Sequence, residues 1–344
     1  MNYRDNNLDI AKGILIIFVV FGHAIQFSFG SEYTKSGLFF SNIVFQTIYS
    51  FHMPLFMLIS GYLFYISNKK KIKNLIFSKL KTIGIPLLAF ILICHLPDYI
   101  VLLYNGEIIK CLLSYINTIF RGGTMWFLFS LLLNISIIAI ITRIVKTKLL
   151  QHMVMLFVFI VSLFIPDFIL LSVHKYMYPF FCIGYIMKEN GIFPYTCSEN
   201  YGEMVVLTIL SFFCIYWFDK DTFIYTTGFC ILSDFPNLFF INIKRIVIAL
   251  IISYTFMQYI HMLSRKGGAT HNFLIKCGQI SLFIYGFNIF FDTRYKELIS
   301  FFSINFPFNY FIPLLFTTCV LIISLYTYRI LQKNKMTSLL FLGK

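Results

Sequence analysis

The stretch RDNNLDIAKGILIIFVVFGHAIQFSF, residues 4–29, decides the fold. From Ile10 to Phe29 it is apolar enough to cross a bilayer, because about 20 such residues cover the hydrocarbon. Yet Lys12 and His23 lie inside it, and an ionisable group within a span marks a functional position by default. The two are 11 residues apart, so on a helix they differ by only ~20° in direction and ~16 Å in height. One face therefore carries an ammonium near one membrane surface and an imidazole past the middle. Asp9, three residues before Lys12, stands on the same side and can pair with it.

The remaining chain repeats this character. Of 344 residues, 59% are hydrophobic and only 12% charged, a balance that excludes a soluble domain. Runs of ~20 apolar residues recur without the short alternating segments of an outer-membrane barrel. The N-terminus has neither a basic region before its first apolar run nor a small-residue cleavage site after it, so that run reads as a retained span. A formal charge of +14 could suggest nucleic acid, but the lysines gather in loops between spans, where they meet anionic lipid headgroups. The expected partners therefore include membrane lipids and exclude nucleic acid. Eight cysteines show no CxxC and fall mostly in apolar runs, so they read as buried hydrophobes and neither as disulfides nor as a metal site.

Spans are expected at about 10–29, 42–66, 82–104, 124–142, 153–171, 176–187, 204–218, 246–263, 277–291 and 310–331. The sixth is short and contains Pro179. Asp221, Asp234, Pro236 and Asn237 interrupt 219–245, which suits a re-entrant or surface segment better than a span. With ten spans, 18 Lys and Arg fall on the side of the N-terminus, counting Arg329 at the inner end of the last span, and 9 on the other. An eleventh span through 219–245 lowers the contrast to 15 against 12. The positive-inside rule thus selects about ten transmembrane helices with cytoplasmic N- and C-termini. Short loops and the absence of repeats leave one domain, 1–344. The fold class is all-α integral membrane, multi-pass, in the inner (plasma) membrane.

Several side chains could carry chemistry. His23 is either a packing histidine bonded to a neighbouring helix or a general base, since neutral imidazole takes a hydroxyl proton near neutral pH. His52, within FHMPLFMLISGYLF (51–64), lies at a similar depth on the second helix. Pro54 kinks that helix, while Ser60 and Gly61 allow it to pack closely on the first. A structural contact is the competing account of His52. Lys12 either snorkels to the interface or holds an anion. Lys79 and Lys81, with the KKKIK run before them, are first a positive-inside signal and second an attractant for a polyanionic cytosolic ligand. Arg121 and Trp126, in RGGTMWFL (121–128), read as an interfacial charge and a belt aromatic, or as contacts for a sugar.

The sequence resembles acyltransferase family 3, in its fucose O-acetylase-like branch. The segments that carry the resemblance are LDIAKGILIIFVVFGH (8–23), FHMPLFMLISGYLF (51–64), TMWFL (124–128) and CGQISLFIYGFNIF (277–290), spread over nearly the whole chain. Two positions depart from many relatives: Lys12 replaces Arg, which keeps the charge but loses the planar fork, and Asn288 replaces His. The resemblance implies an O-acetyltransferase that moves an acyl group, usually acetyl, from cytoplasmic acetyl-CoA. The acceptor is a sugar hydroxyl on a bacterial surface polysaccharide or its lipid-linked precursor. On that reading His23 is the base and His52 orients it or binds the acceptor. Lys12, Lys79 and Lys81 hold the donor's nucleotide, and Arg121, Trp126 and Asn288 contact the acceptor, with no metal required.

A transporter or flippase for a glycan intermediate also uses midplane charges and broken helices, but it usually shows paired half-repeats, and none is visible. The charge count carries a direct test. A reporter fused after Lys344 is expected to read cytoplasmic and one inserted near Asp221 extracytoplasmic; a cytoplasmic signal at Asp221 excludes ten spans.

Overall fold

The computed structural model describes residues 5–28, 38–121, 125–168, 170–195, 201–265, 267–301 and 310–344. The described residues are helical, with no strand among them. Six helices are long and apolar enough to cross a membrane: α1 (Asn6–Phe27), α2 (Ile43–Asn68), α3 (Ile72–Cys94), α6 (Trp126–Ile144), α10 (Asn237–Ser264) and α13 (Phe311–Leu331). A seventh candidate is the pair α11 (Ala269–Gln279) and α12 (Ser281–Phe301), whose axes bend by 78° at Ile280. Between these run α4 (Leu96–Tyr104), α5 (Ile108–Arg121), α7 (Lys148–Phe164), α8 (Leu171–Glu189) and α9 (Tyr201–Trp217).

α1 is the hub. Asp5 caps its first turn by accepting from the Asn7 N–H at 2.9 Å, and the helix packs against α2, α10, α11, α12 and α13. Leu15, Ile16, Val19 and Val20 are accordingly buried, as a helix apolar on all sides must be at the centre of a bundle. Lipid-facing positions such as Phe157, Phe212 and Phe213 are exposed on the peripheral helices.

Two glycine contacts hold the bundle together. Gly278 of α11 lies so close to α1 that a Cβ there would sit 1.8 Å from the Asp9 carbonyl oxygen. Gly184 of α8 approaches the Leu58 carbonyl of α2 equally closely. Small residues are what let helix backbones meet where lipid supplies no hydrophobic drive between them.

The helix ends gather in two groups. At one end the Arg143 guanidinium donates to Asn68 Oδ1 at 2.7 Å, and Tyr195 donates to Asp5 Oδ2 at 3.1 Å while stacking on His261. These contacts join the start of α1 to the ends of α2, α6, α8 and α10. At the other end Ser28 meets Tyr295, and Tyr310 donates to Asn42 at 3.3 Å.

Three expected boundaries shift. The short sixth span is the full 19-residue α8, which continues through Pro179 among buried neighbours, as helices in a membrane bundle tolerate. The third begins at Ile72 rather than 82 and stops at Cys94, because Pro97, in the first turn of α4, has no N–H with which to continue the helix. The stretch 219–245 divides: residues through Pro236 form a loop of short 3-10 turns, and the rest is the first turns of α10.

The glycine geometry predicts a selective response. Gly278→Ala is expected to destabilise by about 1–3 kcal/mol or more through overpacking. Gly84→Ala, whose Cβ would meet nothing nearer than 3.5 Å, should be near neutral. Thermal unfolding in detergent compares the two, and equal melting temperatures would refute close packing of α1 on α11.

Candidate active site

A cavity of about 720 Å³ lies at the end of the bundle where α1 finishes. Its floor is His23, His52 and Asp292; its walls are largely aromatic, including Phe40, Tyr49, Trp126, Phe223, Tyr225 and Tyr285. Long apolar helices supply the floor residues, and irregular backbone supplies one wall, an arrangement tolerated at membrane depth only where it lines a cavity.

His23 is held from α12. Its Nδ1 lies 2.7 Å from Asp292 Oδ2, and the Asn288 amide donates to the same oxygen at 2.9 Å. A carboxylate only accepts, so Nδ1 carries its proton toward Asp292 and Nε2 keeps the lone pair. Asn288 and Asp292, four residues apart, share one face of α12. Asp292 is nearly inaccessible, whereas a quarter of the His23 side chain remains exposed to the cavity. A carboxylate so shielded from water orients the ring more strongly than a surface one could.

His52 is fixed differently. Its Nδ1 donates to the Ile48 carbonyl one turn back at 2.6 Å, and the Tyr49 ring meets it edge-on at 4.8 Å between centroids. That contact sets the tautomer, so Nε2 is again the acceptor nitrogen. Two imidazoles with opposed supports thus border one space.

The loop 218–230 closes the side of the cavity, and charge holds it in place. Asp167 pairs with Lys175 at 2.9 Å and accepts from the N–H groups of Phe229 and Cys230. The fully buried Arg245 donates to Thr227 Oγ1 and to the Asp221 carbonyl. Asp219 caps the turn by accepting from Thr222 and pairs with Lys244 at 2.6 Å. Partial burial pushes the Asp219 carboxyl up, but the bonds from Lys244 and Thr222 outweigh it and hold the group below the usual carboxylate range.

The candidate residues divide accordingly. His23, His52 and Trp126 line the cavity, and Asn288 touches His23 from behind. Lys12 does not line it: near the opposite end of α1 its ammonium pairs with Asp9 at 2.7 Å. Lys79 and Lys81 sit on α3, Lys79 over the Phe64 ring, and neither reaches the cavity. The side chain of Arg121 lies outside the described residues. Asp292 and the loop carrying Lys220, Phe223 and Tyr225 are additions from the structure. An acid four residues after Asn288, near the end of an apolar run, was the available signal for Asp292. Among the described residues no group of three His, Cys, Asp or Glu side chains could hold a metal ion.

The sequence model of acyltransferase family 3, described as an acyltransferase domain, matches residues 5–327. The relatives include two proteins called nodulation protein NolL. The one from Mesorhizobium japonicum is 28% identical over 233 residues, covering 65% of this chain and 59% of that protein. The one from Sinorhizobium fredii is 26% identical over 228 residues, covering 65% and 60%. The matched region is thus about three-fifths of the length of these curated relatives. No solved structure matches the chain.

The His23–Asp292 contact predicts a fixed tautomer. With 15N-labelled histidine, His23 is expected to show Nδ1 protonated and Nε2 bare, and Asp292→Ala should release it towards a mixture. An Nε2-protonated ring in the wild type would refute the arrangement.

Proposed function

The chain belongs to acyltransferase family 3, and from that premise we propose that it is an integral-membrane O-acyltransferase of the fucose O-acetylase-like kind. It moves an acetyl or similar short acyl group from cytoplasmic acetyl-CoA to a sugar hydroxyl of a surface polysaccharide or its lipid-linked precursor. The contact that supports this most directly is His23 on Asp292 at the floor of a cavity large enough for a saccharide unit. Ten crossings of the inner (plasma) membrane, with both termini cytoplasmic, place that cavity on the extracytoplasmic side; the 18-to-9 charge asymmetry supports this orientation.

The chemistry follows from the two imidazoles. His23 Nε2 takes the proton of the sugar hydroxyl as its oxygen attacks the thioester carbonyl, and Asp292 stabilises the imidazolium that forms. Collapse of the tetrahedral intermediate breaks the carbon–sulfur bond, and the imidazolium returns its proton to the departing sulfur. The products are the sugar ester and free CoA thiol. His52 Nε2 accepts from a neighbouring hydroxyl of the acceptor and so orients it. Asn288, which cannot act as a base, keeps Asp292 in place. At the opposite end Lys12, with Lys79 and Lys81, attracts the polyanionic head of the donor. The ~16 Å along α1 from Lys12 to His23 is comparable to the reach of the donor's pantetheine arm.

Release of thiol by the protein in nanodiscs, with acetyl-CoA and an envelope saccharide extract, tests the reading. His23→Ala is expected to slow release by roughly 10²- to 10⁴-fold. Lys12→Gln should raise the donor KM by roughly ten- to a hundredfold and leave the acceptor KM alone. Absence of thiol release by the wild type, or full activity in His23→Ala, would overturn the proposal.

A further inference from the structure

Resting on the acyl-transfer reading above, we infer that the acceptor is an anionic saccharide whose charge is seated by Lys220 and whose ring packs beside Trp126. Lys220 lies on the wall of the cavity, on the turn that follows α9. The turn is firm: the Thr226 hydroxyl donates to the Lys220 carbonyl at 2.5 Å, and Asp219 caps it from the preceding position. The contacts of Asp167 and Arg245 fix the segment behind it. The ammonium is therefore displayed from a held support, which reduces the ordering cost of binding.

The neighbouring cations are already engaged. Lys244 is paired with Asp219, Lys175 with Asp167, and Arg245 is buried against Thr227. Lys220 differs: among the described residues no carboxylate lies within ion-pair distance of it, and its ammonium rests 5.9 Å from the centre of the Phe40 ring. It is the one lysine or arginine among the described residues lining the cavity. The one carboxylate among them, Asp292, is covered by His23 and Asn288. Apolar walls of low dielectric constant around the one cation among the described lining residues focus its field into the space.

The walls suit a sugar ring. Trp126 and Tyr225 meet edge to face at 6.2 Å, both bordering the cavity, and offer apolar faces for the C–H side of a pyranose. A neutral sugar would use those faces and the two imidazoles, leaving Lys220 unanswered. A saccharide with a carboxylate or a phosphate answers it with a charge-assisted bond. A uronic acid within a polymer and the phosphate of a carrier-linked sugar share that chemistry.

Trp126 supplies the readout. The chain has two tryptophans, and replacing the exposed Trp217 with Phe leaves Trp126 as the reporter. The full chain in nanodiscs is titrated with methyl glucuronide, glucose 1-phosphate and neutral methyl glucoside, following tryptophan fluorescence without donor. At least one anionic probe is expected to bind roughly ten-fold more tightly than the neutral one. Tighter binding of the glucuronide would identify an acidic sugar as the source, and of the phosphate a carrier-linked one. Lys220→Gln should abolish the preference and Lys220→Arg retain it, with high salt weakening it. Equal binding of all three probes, no response to either anion, or a preference that survives Lys220→Gln overturns the inference. Charge-selective binding is measured without acyl transfer. Its failure with thiol release intact removes only the anionic acceptor, and the reverse outcome removes only the reaction.

Discussion

The hydrogen bond from His23 to Asp292 is the constraint on which the site depends. It joins the first helix of the chain to one near its end, 269 residues later, so nothing about it is local. For the bond to form, α12 must run alongside α1 with Asn288 and Asp292 turned inward. The 78° bend at Ile280 makes this arrangement fit. Below the bend, α11 crosses α1 with Gly278 against the Asp9 carbonyl; above it, α12 rises beside α1 to the level of His23. The glycine contact thus sets the height at which the carboxylate meets the imidazole. A shift of one residue along α12 would turn Asp292 by ~100° away from the ring.

The supports of the two histidines show a division of roles written into backbone geometry. His52 needs only its own helix, because the Ile48 carbonyl one turn earlier fixes its tautomer. His23 has a carboxylate instead, and so can stabilise a positive charge that His52 cannot. Residues of similar type and depth therefore differ in what they can do with a proton.

Much of this was legible from α1 alone. Lys12 and His23 on one face, and Asp9 beside Lys12, follow from helical periodicity, and the structure places the Asp9–Lys12 pair where that spacing puts it. Trp126 and His52 were also legible, because ends of apolar runs and polar residues within them stand out. Asp292 was not, since its meaning depends on a partner helix that no periodicity in its own segment identifies. The loop 218–230 was harder still. Its charged and turn-forming residues argue against a span, but its place on the cavity wall comes from Asp167, Lys175 and Arg245, which belong to other segments. Local rules locate a break in a helix; long-range contacts decide what the break faces.

Below the floor of the cavity, Leu15 and Ile16 of α1 and Met57 and Ile59 of α2 are sealed from contact with solvent. With no donor arm threaded between the helices, this apolar layer lets the bundle act as an insulator. An ionisable pair in a membrane becomes a leak whenever water reaches it from both faces, because each protonation cycle could then carry a proton down the gradient. Here the exposed quarter of the His23 side chain borders the cavity, and the sealed layer lies between it and the Lys12 end of α1. A proton that it accepts must be returned within the site or to the compartment on the cavity side. On the proposed topology, the packing that holds the two histidines also keeps the resting site from conducting protons.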